Sequence, residues 1–215
     1  MVTQTSRTIR DEQRALTRAR LIEAARTVFA RRGFHAATVD EIAREAGATT
    51  GAIYSNFAGK EDLFLALFEE HVASQNRKYR EIFSRGRSLE ERSRGGADDW
   101  MAFLHDEPDE FPLMIEFWSY AIRDPKLRRR YAARLAAFRH TFAELIEQGA
   151  SDLDVEVPPG FAERMGTVIN ALGNGIALEK LADPESVPDD LLGSTIALIF
   201  EALLAQARAD MDGET

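Results

Sequence analysis

Residues 49–57 form the segment of this sequence with the most suggestive chemistry. If the segment is helical, Ile53 and Phe57 pack inward while small and hydrogen-bonding side chains face outward. A helix with such an outer face fits the major groove of DNA, where it can read base edges and donate to phosphates. The outward-facing residues that we predict to contact DNA are Thr49, Thr50, Gly51, Ala52, Tyr54, Ser55 and Asn56.

The beginnings of two helices near this segment are predicted to bind phosphates. Thr38 and Glu41 have the spacing of a capping box, which begins a helix whose terminal backbone N–H groups can bind a phosphate. Lys60 opens the following helical pattern and adds a positive charge there. Two short helices joined through Gly47 are a helix-turn-helix, although a helical hairpin that merely packs has the same spacing.

Signatures of catalysis and of metal binding are missing from the sequence. There is no cysteine, so thiolate catalysis, disulfides and thiolate metal sites are excluded. The four histidines have no partner four residues away, and neither a nucleophile elbow nor a glycine-rich phosphate loop is present. We therefore expect no enzyme activity, no metal and no cofactor. A helical enzyme that uses an apolar pocket is the alternative.

A second group of candidate residues is aromatic. Residues 100–142 contain nine of the nineteen aromatic residues of the chain. Such a concentration can line an apolar ligand cavity between helices, or it can be ordinary core. The six aromatic residues that we predict to contact a small apolar or amphipathic ligand are Trp100, Phe103, Phe117, Trp118, Phe138 and Phe142.

The last third of the chain carries two apolar stripes at helical spacing, in residues 161–181 and 191–204. Stripes of this kind form either core or a four-helix contact with a second copy of the chain. We predict a homodimer. The residues that we predict for its interface are Phe161, Met165, Ile169, Leu172, Ile176, Ile196, Phe200 and Leu203.

The elements that position these residues are all predicted to be helices. Apolar residues recur at helical spacing through most of the 215 residues, and no strand-like alternation of useful length occurs. The pattern predicts an all-α fold of about nine helices. Their predicted ranges are about 17–32, 39–46, 50–57, 60–84, 99–106, 109–122, 125–148, 160–182 and 189–209.

Charge is distributed unevenly along the chain. The whole chain has a net charge of −9, yet residues 1–60 carry ten basic and six acidic side chains. Residues 84–98, rich in glycine and charge, are expected to be a mobile loop or the marginal beginning of a helix. The longest apolar run, residues 63–68, is too short to span a membrane.

These changes in charge and composition along the chain predict the domain organisation. The arm before the first helix carries Arg7, Arg10 and Arg14, which could reach a minor groove, although we prefer a plain disordered terminus. The predicted parts are a flexible arm at 1–16, a DNA-binding domain at 17–77 with a connecting helix at about 60–84, and a ligand-binding and dimerisation domain at 85–215.

The stretch from Thr17 to Leu65 resembles the DNA-binding domain of TetR-type transcriptional regulators. The resemblance rests on LIEAARTVFARRGFHAATVDEIAREAGATTGAIYSNFAGKEDLF, with its GF turn, its TVDEIAREAG second helix, its GAIYxxF recognition helix and its KEDL opening of the fourth helix. The segment EFWSYAIRDPKLRRRYAARLAAFRHTF is similar, to a lesser degree, to the regulatory domains of the BetI-like branch. The residues to which the resemblance assigns phosphate-contacting or recognition-helix roles are Thr38, Thr49, Thr50, Tyr54 and Lys60.

For the whole chain the resemblance implies a homodimeric transcriptional repressor in the bacterial cytoplasm. Its partners would be double-stranded DNA with a palindromic operator and a small-molecule inducer, with no membrane involved. An activator, or a regulator controlled by a protein partner, stays open as an alternative. Ala52 and Ser55 stand where larger side chains are frequent in the family, so the resemblance leaves the operator sequence open.

Overall fold

The computed structural model describes residues 9–86, 88–152, 157 and 160–213, and for residues 9, 10, 89 and 203–213 it describes the backbone only. This part of the chain contains nine helices and no strand, which confirms the predicted all-α fold. The helices are α1 (Ile9–Ala36), α2 (Val39–Glu45), α3 (Thr50–Asn56), α4 (Lys60–Arg85), α5 (Leu89–Asp106), α6 (Glu110–Ala121), α7 (Pro125–Asp152), α8 (Phe161–Ala182) and α9 (Leu191–Gly213).

The chain divides into two compact units that are not continuous in sequence. Unit 1 comprises the residues up to His71 and the segment Asp109–Tyr131. Unit 2 comprises Val72–Pro108 and the residues from 132 onwards. This division differs from the predicted boundaries at 77 and 85, because α6 packs against α1 and α4 and the first turns of α7 pack against α4. The helices α4 and α7 each supply residues to both units.

The core of unit 1 is a cluster of fully buried phenylalanines. The ring of Phe64 on α4 stacks on that of Phe117 on α6, with 3.9 Å between the centroids. Phe34 at the end of α1 meets Phe117 edge to face at 4.9 Å, and Phe29 packs on both Phe34 and Phe64. Aromatic pairs in these geometries add about 0.5–1.5 kcal/mol each beyond the area they bury. The cluster therefore ties α1, α4 and α6 together.

Helix α1 begins earlier than predicted. Residues 9–16, expected to belong to a flexible arm, are helical, with Asp11 and Glu12 in the first turn, where their charges favour the positive end of the helix. Arg14 is an exposed residue of this helix, while Arg7 lies outside the described residues. The helical conformation breaks at Gly33, as predicted, because Gly33 has φ 71° and ψ 165°.

Helix α5 begins ten residues before its predicted start at 99. The segment 84–98 was expected to bury little, but the hydroxyl of Ser88 accepts the backbone N–H of Glu91 at 3.1 Å and caps the helix. Ser93 and Ala97 are buried in unit 2, where α5 packs along α9. Small residues let two helices approach closely, so the low apolar content of this segment reflects tight packing rather than disorder.

The core of unit 2 joins α5, α7, α8 and α9. Its buried residues include Ala143 and Ile146 from α7, Met165 from α8 and Ile196 from α9. A Cβ on Gly166 would lie 2.8 Å from the backbone oxygen of Arg139, so only glycine allows α8 to approach α7 so closely.

We predict that Gly33→Ala lowers the free energy of unfolding by about 1–3 kcal/mol, because alanine rarely adopts this backbone conformation. The new Cβ would also lie 2.8 Å from Glu116 Oε2. Gly47→Ala is the matched control, because Gly47 also has a positive φ, 58°, but has nothing within 4 Å of an added Cβ. Urea denaturation of both variants measures the difference. Equal decreases in stability would show that the proximity of Glu116 does not constrain residue 33.

Candidate functional site

The first helix of the helix-turn-helix is capped by the predicted capping box. The Thr38 hydroxyl accepts the backbone N–H of Glu41 at 3.2 Å and donates to Glu41 Oε2 at 3.0 Å. The backbone N–H of Thr38 also donates to Glu41 Oε2, at 3.0 Å. These bonds, from the Thr38 side chain and backbone, hold the pKa of Glu41 below its ordinary value. The Thr38 hydroxyl therefore organises the start of α2, and a phosphate would have to compete with Glu41 for it.

The recognition helix α3 is held by its own polar side chains. The Thr49 hydroxyl accepts the backbone N–H of Ala52 at 3.1 Å and caps the helix. The Thr50 hydroxyl donates to Asp40 on α2 at 3.0 Å, which joins the two helices of the motif. Ser55 and Asn56 both donate to the backbone oxygen of Ala52, at 2.9 and 2.8 Å.

The outer face of α3 is exposed, while Ile53 and Phe57 are buried as the spacing predicted. Tyr54 has 59% of its surface exposed, and its phenol projects from the helix into solvent. The other predicted contact residues lie on the same short helix: Thr49, Gly51 and Ser55 are exposed and Thr50, Ala52 and Asn56 half-buried. The structure thus places these residues on or directly before one short helix whose surface is partly exposed.

Lys60 lies at the beginning of α4, but the structure gives it another role than the predicted phosphate contact. Its ammonium donates to three backbone oxygens, those of Phe34 at 2.9 Å, His35 at 3.0 Å and Ala37 at 3.1 Å. The Nζ atom also lies 4.8 Å from the centroid of the Phe34 ring. An ammonium has three protons, so these bonds use its whole donor capacity. Lys60 therefore caps the end of α1.

The same segment is held from the other side by a residue of α6. Glu116 accepts the backbone N–H of Phe34 at 2.9 Å and that of His35 at 2.8 Å. A second carboxylate of α6, Glu110, accepts Arg26 of α1 at 2.7 Å. The role of Glu116 is not predictable from the sequence, because 82 residues separate it from Phe34 and no local pattern reports such a pair.

Unit 2 contains an apolar cavity of about 50 Å³ enclosed by α4, α5, α7, α8 and α9. Three of the predicted ligand-contacting residues line it, namely Trp100, Phe138 and Phe142. Phe103 stacks on Trp100 at 5.3 Å but does not line the cavity. The other two belong to unit 1: Phe117 is fully buried against Phe64, and Trp118 is 45% exposed. Their placement on α6 removes them from this cavity.

The wall of the cavity combines fixed aromatic rings with a few polar groups. Trp100 donates from Nε1 to the backbone oxygen of Gly173 at 3.0 Å, which fixes the indole between α5 and α8. Burial, followed by the charge of Asp99, raises the pKa of Tyr79, so this phenol stays neutral. The polar residues in the lining are Arg92, Ser93, Asn170 and Asn174.

The residues predicted for a dimer interface lie mainly inside unit 2. Met165, Ile196 and Phe200 are buried in its core, so they have almost no surface left for a second copy. Four more pack against that core as partly buried residues, namely Phe161, Ile169, Leu172 and Ile176, and the Leu203 side chain lies outside the described part. Among the described side chains of α8 and α9, the large apolar ones that are exposed are different residues: Val168, Leu178, Leu181, Leu191 and Leu198.

Two further observations concern other classes of site. Within the part of the chain that the structure describes, no group of three or more acidic or histidine side chains could hold a metal ion. No described helix combines the length and the apolarity that crossing a membrane requires.

Comparison with known proteins gives two family matches that agree with this architecture. Residues 21–67 match the model of bacterial regulatory proteins of the tetR family. Residues 89–207, more than half of the chain, match the model of the C-terminal domain of BetI-type transcriptional repressors. The chain belongs to the TetR family. The helix-turn-helix on α2 and α3 is accordingly a DNA-binding domain, and the resemblance noted in the sequence is confirmed.

Curated relatives of this TetR-family chain include both repressors and activators of transcription. It is 27% identical over 177 residues to the transcriptional repressor AcnR of Corynebacterium glutamicum, covering 78% of this chain and 87% of that one. It is 32% identical over 107 residues to the transcriptional activator FasR of Mycolicibacterium smegmatis, covering 50% of this chain. This chain spans 47% of the length of that activator.

Solved structures show the same fold. A tetR-family transcriptional regulator from Streptomyces coelicolor superposes with a TM-score of 0.68 at 24% identity, covering 91% of this chain and 83% of that one. The regulator FadR from Bacillus subtilis, solved in complex with stearoyl-CoA, superposes with a TM-score of 0.66 at 18% identity. That match covers 83% of this chain and 94% of the FadR chain.

We predict that Lys60→Ala and Tyr54→Phe separate stability from DNA affinity. Lys60→Ala removes a charge-assisted cap, so we expect it to lower the free energy of unfolding by roughly 1.5–3 kcal/mol. Tyr54→Phe removes one exposed hydroxyl, so it should leave stability unchanged and weaken binding to every DNA sequence alike. Urea denaturation and fluorescence anisotropy measure the two effects. A stable Lys60→Ala variant with a flatter salt dependence of DNA binding would instead support a phosphate contact.

Proposed function

We propose that this protein is a homodimeric, one-component transcriptional repressor that binds a palindromic operator in the bacterial cytoplasm and is released by a small apolar or amphipathic ligand. The observation that carries the proposal is the apolar cavity of unit 2, lined by aromatic rings from α4, α5, α7 and α9. A cavity with few polar groups, in a chain with a separate DNA-binding domain, is suited to sensing rather than to catalysis.

The size of the cavity supports a mechanism in which ligand binding changes the conformation of the protein and thereby releases DNA. Its volume of about 50 Å³ accommodates a small apolar group, whereas a long acyl chain requires the surrounding helices to separate. A ligand shifts an equilibrium only by its differential affinity for the two states, commonly about 1–3 kcal/mol. The helix α4 supplies Tyr79 to the cavity and begins at Lys60, which caps α1, so this helix is the proposed lever between ligand and DNA.

The chemistry of the cavity favours an amphipathic ligand with an acyl chain. Its apolar rings fit a hydrocarbon, while Asn170 and Asn174 on one face of α8 can orient a polar group. The structural similarity to FadR, which was solved with stearoyl-CoA, supports the same class of ligand. Stearoyl-CoA is therefore the first probe to use.

The exposed apolar residues of α8 and α9 support a homodimer. Val168, Leu178 and Leu181 on α8 and Leu191 and Leu198 on α9 expose 38–63% of their surface. A Cβ added to Gly175, on the same helix, would meet nothing within 4 Å, which leaves room for a partner helix to approach. A dimer also places two recognition helices roughly 34 Å apart, the spacing of successive major-groove faces.

An activator is the second candidate, and the similarity to FasR favours it. A repressor and an activator have opposite effects on transcription in cells. Deleting the gene raises transcription from the target promoter if the protein is a repressor and lowers it if the protein is an activator.

We predict that Gly96→Leu abolishes release of DNA by stearoyl-CoA and preserves DNA binding. A Cβ at residue 96 would lie 3.8 Å from Phe83 and 3.9 Å from Tyr79, so the first carbon fits and a longer side chain fills the cavity. Gly96→Ala is the matched control and should respond like the unaltered chain. Anisotropy of an operator fragment selected from genomic DNA, with stearoyl-CoA, stearate and free CoA as separate additions, measures release.

The outcomes of this titration separate the elements of the proposal. Release by free CoA alone, or equal release from Gly96→Leu and Gly96→Ala, would remove the cavity from the mechanism. Failure of all three compounds to release DNA that the protein binds tightly would contradict the ligand class.

We predict that Leu198→Glu converts the dimer into a folded monomer with at least tenfold weaker operator binding. Leu198 is 63% exposed, so the substitution leaves the core of unit 2 intact while it places a charge in the proposed interface. Leu16→Glu is the control, because Leu16 is 71% exposed on α1. Sedimentation velocity measures the assembly state. A Leu198→Glu protein that stays dimeric would place the interface elsewhere.

A further inference from the structure

The junction between α6 and α7 is unusually basic for this acidic chain. Residues 123–130 carry five basic side chains and one acidic one, in a chain whose net charge is −9. Four of the basic side chains, which we call the basic turn, are exposed: Arg123, Lys126, Arg128 and Arg129. Neutral or acidic surface would serve equally well if this junction merely connected two helices.

The basic turn is held in place by the two residues next to its members. Asp124 accepts the backbone N–H groups of Lys126 at 2.7 Å and Leu127 at 3.0 Å, which caps α7. Arg130 is not a member of the basic turn, because it forms an ion pair with Asp62 on α4. Within the described part of the chain, none of the four members of the basic turn forms an ion pair. The turn is therefore a preorganised set of cations that face solvent, offset only in part by Asp124.

The position of the basic turn within unit 1 relates it to the DNA-binding domain. Tyr120, at the end of α6, donates to Glu61 at 3.2 Å, and Arg130 reaches Asp62. Both acceptors lie in the first turn of α4, five and six residues after the end of the recognition helix at Asn56. The basic turn thus lies at the end of α4 that adjoins the recognition helix.

The helix-turn-helix itself is poor in free positive charge. Residues 38–60 contain two basic and three acidic side chains, and one of the two basic ones, Lys60, is engaged by backbone oxygens. Three arginines of α1 also form ion pairs with carboxylates of unit 1: Arg26 with Glu110, Arg31 with Glu45, and Arg32 with Glu41. Binding to DNA depends strongly on cations that neutralise phosphates. Arg44 is the exposed cation that remains within the motif, so further cations have to come from the rest of unit 1, where exposed arginines of α1 and the basic turn supply them.

We propose that the basic turn makes a second contact with the phosphate backbone of DNA, outside the helix-turn-helix. The contact carries no sequence information; it adds affinity and salt dependence at any sequence. This inference goes beyond ligand-released repression, because it holds for a repressor or an activator and needs no small molecule. Acidic protein and anionic lipid surfaces are the competing partners, and the proximity to the recognition helix favours DNA.

The test removes three charges from the basic turn with Arg123→Gln, Lys126→Gln and Arg129→Gln combined. The control removes three exposed charges from unit 2 with Arg77→Gln, Arg85→Gln and Arg164→Gln. Binding of each protein to a fluorescent 30-base-pair duplex of mixed sequence is measured by anisotropy from 50 to 300 mM KCl. We expect the basic-turn variant to bind at least tenfold more weakly at 100 mM KCl. Its slope of log affinity against log salt should fall by about one for each phosphate that is no longer neutralised.

Three results would overturn the inference. In the first, the affinity and the slope decrease equally in the basic-turn variant and the control, which means a general effect of net charge. In the second, DNA binding is unchanged and sedimentation shows a different assembly state, which means that the turn docks a second copy. In the third, DNA binding is unchanged and binding to phosphatidylglycerol vesicles is abolished. Circular dichroism and urea denaturation establish that both variants fold like the unaltered chain.

Discussion

The link between α1 and α2 is the constraint on which unit 1 depends. Residues 34–37 leave one helix and enter the next, so their backbone polar groups need partners from outside those helices. Glu116 of α6 accepts two N–H groups and Lys60 of α4 donates to three oxygens, so one anion and one cation hold opposite sides of the link. Gly33 supplies the backbone conformation and the space that bring Glu116 so close.

This arrangement makes α6 a structural part of the DNA-binding unit. Phe117 stacks on Phe64, Glu110 holds Arg26, and Glu116 holds the link that leads to the capping box at Thr38. The same helix follows α5, which contributes Trp100 to the cavity wall, after only the turn at Pro108.

Charged side chains within unit 1 stabilise its structure, whereas in our proposal those exposed at its surface contact DNA. Lys60 and three arginines of α1 are engaged by groups of the protein, so they stabilise the unit. Residues 72–108 and 132–215, by contrast, carry twelve basic and twenty-two acidic side chains, a balance that repels DNA. Exposed cations near the recognition helix therefore contribute more to DNA binding than the net charge of the chain suggests.

The sequence by itself determined the helices, the helix-turn-helix and the outward face of α3, because helical periodicity and capping are local and each is read within one or two turns. The aromatic residues of the segment 100–142 also predicted a ligand cavity, but the sequence could not show that Phe117 and Trp118 belong to unit 1 while Trp100, Phe138 and Phe142 line the cavity. Only the tertiary structure decided the burial of Met165, Ile196 and Phe200 and the roles of Lys60 and Glu116. Each of these depends on a partner far along the chain, and packing between distant segments leaves no periodic signal in either of them.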